Sequence, residues 1–155
     1  MTTYSPKLKD IKREWHLVDL KARILGRVAS EIAQLLIGKH KVYYVSHLDC
    51  GDYVVCLNAS KIKVSGGKED KKIYYRHSGY PGGLKEVTFR QQMEKNPRKI
   101  IEMAIKNMLP KNKLRDKRMA RLKVFSGQNH NFEDKFSSKK NKKENKEDKK
   151  VKKNK

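Results

Sequence analysis

The sequence predicts a small α/β domain built around a parallel sheet, and three observations support this fold class. The 155 residues are the length of one domain. An apolar segment of strand length is followed by an amphipathic helical pattern, and then by a continuous apolar run of the kind found in strands buried on both faces. A strand, a helix and a buried strand in that order indicate a right-handed βαβ unit.

The first three elements make up this βαβ unit. Trp15–Asp19 is apolar over strand length and predicts the first strand. Apolar residues recur at helical spacing over Leu25–Ile37, and Gly38 stands where helices commonly end. After a turn at Asp49–Asp52, the apolar run Tyr53–Ala59 predicts the buried strand.

Two further stretches have strand character. Lys71–Arg76 is a short β-prone stretch that leads into a glycine-rich loop, His77–Lys85. Leu122–Gly127 alternates between apolar and polar residues and predicts the last strand of the sheet.

Two helices are predicted between the glycine-rich loop and the last strand. Thr88 is a suitable N-cap for a helix over Phe89–Glu94. Asn96–Pro97 supplies an N-cap and a first-turn proline for a second helix, which keeps helical spacing until Pro110 ends it. We expect a kink between these helices and packing of the second one on the sheet.

Composition divides the chain into three parts. Residues 1–14 are polar and predict an irregular lead-in, residues 15–136 predict a single α/β domain, and residues 137–155 are a low-complexity Lys/Asn/Glu tail. We expect the tail to be disordered, because it has too little apolar surface to offset the entropy of ordering it. Its ten lysines and three acidic residues carry +7, which leaves +15 on the rest of the chain.

The formal net charge of +22 predicts a polyanionic partner. No stretch approaches about 18 consecutive apolar residues and the N-terminus has no apolar signal core, so we expect a cytoplasmic protein without a membrane span. Cys50 and Cys56 are expected to be reduced thiols, since residues six apart along a strand lie about 20 Å from each other, too far for a disulfide.

The motifs give little support for catalysis or for a cofactor. The best acid–base cluster is His47 with Asp49 and Asp52, which are ordinary turn residues at that position. Gly66–Lys68 lacks the full spacing of a phosphate-binding loop, and nothing after it reads as a helix start. The five histidines show no local metal-ligand spacing. We therefore predict no enzyme, no metal site and no cofactor.

The glycine-rich loop is the leading candidate for nucleic-acid contact. Glycine allows close backbone approach to a large ligand, and the neighbouring cations and aromatic rings suit phosphates and exposed bases. A plain surface turn is the alternative for such a loop. Basic residues elsewhere are dispersed, which suits a folded RNA whose phosphates surround the protein on several sides. The predicted contact residues are Arg23, Arg27, Lys39, Lys41, Arg76, His77, Ser78, Tyr80, Gly82, Gly83, Lys85, Lys111, Lys113, Arg115, Arg118 and Lys123.

Many short motifs in one register resemble the family of large-subunit ribosomal protein thirteen, of the bacterial or organellar type. The resemblance covers about residues 13–131. It rests on Trp15–Asp19, Leu25–Ala29, Gly38–Lys39, Gly51–Val55, Asn58–Ala59, Ser65–Gly66, His77–Gly79, Gly82–Leu84, Met108–Lys111 and Leu122–Phe125. In this chain Ser46 replaces the family's usual proline, and Leu114–Asp116 replaces a glycine-containing segment.

The resemblance implies a three-layer α/β/α fold around a mainly parallel four-stranded sheet. It implies a structural constituent of the large ribosomal subunit that binds large-subunit rRNA early in assembly, with residues 76–85 and 111–118 in the basic regions. The expected partners are that rRNA and neighbouring large-subunit proteins, with no homo-oligomer, membrane or small-molecule substrate. The alternative hypothesis is a free regulatory module that binds RNA or another polyanion outside the ribosome.

Overall fold

A computed structural model of the protein describes residues 5–136. The strands in chain order are β1 (Trp15–Asp19), β2 (Tyr53–Leu57), β3 (Ile73–His77), β4 (Leu84–Thr88) and β5 (Leu122–Val124). The helices are α1 (Leu25–Ile37), α2 (Lys68–Lys71), α3 (Phe89–Lys95), α4 (Pro97–Met108) and α5 (Leu114–Ala120), with single 3₁₀ turns at Leu8–Asp10 and Ala59–Lys61.

The main sheet is parallel and has the strand order β1-β2-β5, so the most apolar strand is in the middle. The parallel pairing of β1 with β2 around α1 confirms the strand–helix–strand prediction. Residues Val54 to Leu57 of β2 are all buried, as their continuous apolar pattern predicted.

One face of this sheet is covered by α1 and α4, which also pack against each other. The amphipathic pattern of α1 is confirmed, and the helix ends at Gly38 as predicted. Cys56 is a buried core residue, and both cysteines are free thiols. The core between helices and sheet contains Leu20, Val28, Ala29, Ile32, Leu36, Val54, Cys56, Ile101, Ile105 and Leu122, among others.

One end of the other face is covered by an aromatic segment near the end of the described chain, whereas Leu17, farther along β1 on the same face, is 49 % exposed. Trp15 stacks on Tyr53 with ring centroids 4.4 Å apart, and Phe132 approaches the same indole at 5.3 Å. Phe136 meets the edge of Trp15 at 6.3 Å. These contacts lie on the face opposite Val54, because side chains alternate along a strand.

A separate antiparallel hairpin accounts for the other two strands. β3 pairs with β4 from Ile73↔Thr88 to His77↔Leu84. Within residues 5–136 the parallel sheet therefore has three strands, and the four-stranded sheet implied by the resemblance is not observed. β4 was not predicted, because Leu84–Thr88 has only two apolar residues and reads as a loop. The three-layer arrangement stays a prediction.

The short helices confirm some sequence signals and correct others. Thr88 caps α3 by accepting a hydrogen bond from the Gln91 amide at 3.3 Å, as predicted, and α4 begins at Pro97. α2 directly follows Gly67, where no helix start was predicted, and α5 occupies the basic segment that had no predicted structure. None of the helices within residues 5–136 is long and apolar enough to cross a membrane. The predicted disordered tail lies outside the described residues, and the three-part domain division stays a prediction.

Candidate nucleic-acid interface

The glycine-rich loop is the reversal of the β3–β4 hairpin. The Ser78 amide donates to the Gly83 carbonyl at 3.2 Å, and the Gly83 amide donates to the Tyr80 carbonyl at 2.9 Å. Gly82 has φ of +72°, a conformation that L side chains rarely adopt. A Cβ on Gly83 would lie 2.8 Å from the backbone carbonyl oxygen of Tyr80, so a side chain here would require the backbone of the turn to shift. The loop is thus a closed, glycine-dependent turn with its side chains directed outward.

The side chains of this turn are available to a ligand. His77, Ser78 and Tyr80 are exposed, and 76 % of the Tyr80 surface is accessible. His77 Nδ1 accepts a hydrogen bond from the Gly79 amide at 3.0 Å, which orients the imidazole against the turn. An exposed aromatic ring beside an exposed imidazole offers stacking surfaces for unpaired bases.

Two cations lie directly opposite each other on the hairpin. Arg76 pairs in register with Lys85, so both side chains are on the same face of the two-stranded sheet. Like charges in directly opposite positions destabilise a hairpin. This arrangement is therefore costly unless an anion lies between or above the two side chains.

These two cations border an open groove between the hairpin and the helices α3 and α4. The groove has a volume of about 1210 Å³. Lys95 and Lys99 line its opposite side, and Glu94 is the acidic residue in its lining. Among residues 5–136, none of the four cations has a carboxylate within 4.0 Å. The groove therefore has an excess of cations without carboxylate partners, and this charge suits a nucleic-acid backbone.

The remaining predicted contact residues are spread over other parts of the surface. Arg27 is exposed near the N-terminal end of α1, close to the hairpin, whereas Lys39 follows the far end of that helix. Arg23 is exposed and forms an ion pair with Glu31 at 2.7 Å. Lys111 and Lys113 are exposed between α4 and α5, and Arg115 and Lys123 are partly buried.

Two predicted contact residues lie inside the protein, and this corrects their assignment. The Lys41 side chain is only 8 % exposed, and its ammonium binds Asp52 Oδ1 and the carbonyls of Lys12 and Cys50. The Arg118 side chain is 1 % exposed. Both are charges that neutralise interior carboxylates, so neither is available to RNA in this conformation.

Asp52 is the centre of one of these interior charge clusters. Its Oδ2 lies 3.0 Å from His16 Nε2 and 3.0 Å from His40 Nε2, and its Oδ1 accepts from the Glu14 amide at 2.9 Å and from Lys41. Burial on its own would raise the pKa of Asp52. The hydrogen bonds from His16, Lys41 and the Glu14 amide, together with the charge of Lys41, outweigh burial and hold this pKa well below its ordinary value.

Asp49 is the centre of the second cluster. The Arg121 guanidinium binds both of its carboxylate oxygens, and the same guanidinium donates to the Leu36 carbonyl at 3.3 Å. Arg13 and Arg118 lie 3.6 and 3.7 Å from the carboxylate. The turn residues Asp49 and Asp52 thus tie the lead-in, α1 and α5 together, and within residues 5–136 the exposed His47 forms no ion pair with either carboxylate.

The Asp52 cluster also has the composition of a metal site. One ligand atom each from His16, His40 and Asp52 lie within 4.8 Å of one another. These residues are far apart in the sequence, so no local spacing could reveal them. The absence of a metal site stays a prediction, and the hydrogen bonds to Asp52 account for the positions of both imidazoles.

Sequence reasoning missed the helix cations that line the groove. Lys95 and Lys99 belong to α3 and α4, on the sides turned away from the apolar core. The second predicted helix included Lys99, whereas Lys95 followed the predicted end of the first helix at Glu94. Only the position of the hairpin, which depends on the unpredicted β4, brings them opposite Arg76 and Lys85.

Comparison with known proteins agrees with this basic α/β body. Residues 13–131 match the family model described as Ribosomal protein L13. The chain belongs to the ribosomal protein L13 family. Three relatives bear the name large ribosomal subunit protein uL13. The protein from Buchnera aphidicola is 55 % identical over 130 residues, which are 84 % of this chain and 92 % of the relative.

The other two relatives match the same share of this chain at slightly lower identity. The protein from Kocuria rhizophila is 50 % identical over 84 % of this chain and 88 % of its own length, and the one from Dehalococcoides mccartyi is 49 % identical over 84 % and 91 %. The family assignment confirms the resemblance seen in the sequence. The relatives are named as ribosomal proteins and not as enzymes, which agrees with the absence of a catalytic motif.

Proposed function

We propose that this protein is a structural constituent of the large ribosomal subunit and binds large-subunit rRNA through the hairpin and its basic groove. The observation that carries the proposal is the pair Arg76 and Lys85, which face each other across the hairpin without a carboxylate partner among the described residues. An RNA phosphate between them converts a repulsive pair into a favourable site.

The family supports the identity of the polyanion. Relatives that are named as large-subunit proteins match most of this chain, including the hairpin. The proposal therefore includes a location in bacterial-type large subunits, contact with neighbouring large-subunit proteins, and a role in early subunit assembly and translation. Interior residues such as Arg118 and Lys41 contribute by holding the body rigid, and the exposed cations contact the RNA.

Binding to large-subunit rRNA and to a generic duplex of equal length, each across a salt series, tests this function. The double variant Arg76→Gln/Lys85→Gln is expected to weaken rRNA binding. The slope of log affinity against log salt should fall by about one unit for each phosphate that the variant no longer neutralises. The matched control Lys9→Gln/Lys106→Gln removes the same charge from exposed positions outside the groove.

The two variants distinguish a site from general electrostatic attraction. If the groove variant weakens binding to rRNA and to the duplex no more than the control variant does, the groove is not the interface. A chain that ends at Phe136 separates the body from the +7 tail. Preference for rRNA by the truncated chain at high salt supports the proposal, and loss of that preference contradicts it.

The free regulatory module predicted as an alternative has no structural observation in its favour. Co-sedimentation with large subunits through a salt wash separates the two functions, because an incorporated protein remains and a loosely attracted one dissociates.

A further inference from the structure

A second, more apolar pocket adjoins the basic groove. It lies between the start of α1, the segment around α2 and one side of α4, and has a volume of about 490 Å³, within the usual range for small-ligand sites. Its wall is formed largely by aliphatic side chains. They are Ile24, Leu25, Val64, Ile100, Met103 and Ala104.

The mouth of this pocket is basic. Arg27, Lys68 and Lys72 line it, and all three are exposed. No carboxylate is among the described residues that line the pocket. Ser65 and Asn107 add one hydroxyl and one amide to the lining, so a ligand inside could also form a small number of directed hydrogen bonds.

Tyr74 connects the pocket to the groove. It lines both, as does Met103. Tyr74 is partly buried, and Lys72 Nζ lies 5.1 Å from the centroid of its ring. Burial raises the pKa of the Tyr74 phenol above its ordinary value. An RNA strand that lies along the cations of the groove therefore reaches the pocket by passing over the ring of Tyr74.

We propose that this pocket receives the base of a single unpaired nucleotide, extruded from an RNA strand whose backbone lies along the basic groove. The inference rests on the proposed rRNA-binding function and specifies how part of that RNA is held. The apolar wall and Tyr74 match the faces of a base, and Arg27, Lys68 and Lys72 match the phosphates on either side of it. An apolar side chain of a protein partner would leave these three cations without counter-charges, so the basic mouth of the pocket favours a nucleotide.

Gly26 makes the proposal testable without harming the fold. It lies in the first turn of α1 and lines the pocket, and a Cβ built on it meets nothing within 4 Å. Leucine is also a better helix former than glycine. The variant Gly26→Leu is thus expected to fill the pocket while keeping or slightly raising the melting temperature. Gly127→Leu is the matched control, because Gly127 also has open space and lies outside the pocket.

The first measurement is the affinity of the full-length chain for large-subunit rRNA at several salt concentrations. Loss of one stacked base predicts a roughly 5- to 100-fold weaker affinity for Gly26→Leu. The salt dependence is expected to stay unchanged, because no charge is removed. Gly127→Leu is expected to bind like the wild type.

The second measurement locates the base. With ¹³C-labelled methionine methyl groups, a single-stranded RNA of about ten nucleotides is expected to shift the Met103 signal upfield through the ring current of the base. Met119 packs against the core and serves as the internal reference. An RNA duplex of the same length is expected to leave Met103 unshifted.

The outcomes separate this inference from the function on which it rests. If the wild-type chain shows no preference for rRNA, the proposed function is wrong. If that preference is present but Gly26→Leu binds equally well, or if single-stranded RNA leaves Met103 unshifted, the nucleotide pocket is overturned and the proposed function stands.

Discussion

At the scale of single residues, the main feature is that charged side chains form ion pairs inside the protein as well as on its surface. Lys41 and Arg118 belong to a chain with a large excess of cations, yet both are directed toward interior carboxylates. Removing one partner of a buried ion pair is costly, because the other charge stays buried and uncompensated. Asp52 is the most constrained of these groups, with four partners and no exposed surface.

Asp52→Asn is therefore expected to lower the free energy of unfolding by about 3–5 kcal/mol. The amide cannot neutralise Lys41, whose ammonium stays buried beside it. Urea denaturation followed by circular dichroism measures the change. Asp116→Asn is the control, since Asp116 is exposed on α5 and its replacement should change stability by less than about 0.5 kcal/mol.

The same site predicts how stability depends on pH. The folded-state pKa of Asp52 is lowered, so its contribution is fully present above the unfolded value of about 4 and is lost as the pH falls toward the folded value. Wild-type stability should decline below about pH 4, and Asp52→Asn should lack this part of the decline. Parallel pH profiles for the two proteins would disprove the role given to Asp52.

At the scale of elements, the hairpin combines weak pairing with strong charge. Arg76 and Lys85 oppose each other in register. Lys85→Glu is expected to stabilise the isolated protein by about 0.2–1 kcal/mol, because an opposite charge replaces a like one across the strands. The same change should weaken rRNA binding by more than Lys85→Gln does.

Thermal melting at low salt and an rRNA titration check both halves of this prediction. The stability gain should disappear at about 1 M salt, where the Debye length is about 3 Å. A variant that becomes both less stable and weaker in binding would indicate that Lys85 serves the fold of the hairpin and not an anionic ligand.

The helices and strands also show which parts of the fold are determined by local sequence signals. The capping hydroxyl of Thr88, the Asn96–Pro97 start and the stop at Gly38 are local signals, and the structure confirms all three. Leu84–Thr88 has no such signal, since its strand forms by pairing with β3 and not by apolar alternation. Groove residues that depend on this pairing, such as Lys95, could not be found from the sequence.

At the scale of the whole molecule, the same distinction explains why Lys41 and Arg118, two of the predicted contact residues, lie inside the protein. Asp49 and Arg121 are 72 residues apart, and Asp52 and Lys41 meet only because the end of α1 returns to the sheet. A sequence pattern shows that Lys41 is charged but not what it faces. The surface loop could be predicted because glycine, aromatic and basic residues are contiguous there, whereas the interior clusters are assembled from distant segments.

The last described segment also stabilises the molecule, because it packs on one end of the sheet face opposite the helices. Phe132 lies 5.3 Å from Trp15 and 6.1 Å from Phe125, so its ring joins the segment to β1. Phe132→Ala is expected to lower the free energy of unfolding by about 1–3 kcal/mol, less than for a fully buried phenylalanine because the ring is partly exposed.

The fluorescence of Trp15, the one tryptophan of the chain, reports this change directly. Removal of the Phe132 ring admits water to the indole, so the emission of the folded protein should shift to longer wavelength. Tyr80→Ala is the control, because it removes an exposed ring from the hairpin turn and should alter neither stability nor emission. If Phe132→Ala kept the wild-type emission and melting temperature, the aromatic segment would not be a stable cover, and the sheet would be held by the helices on its other face alone.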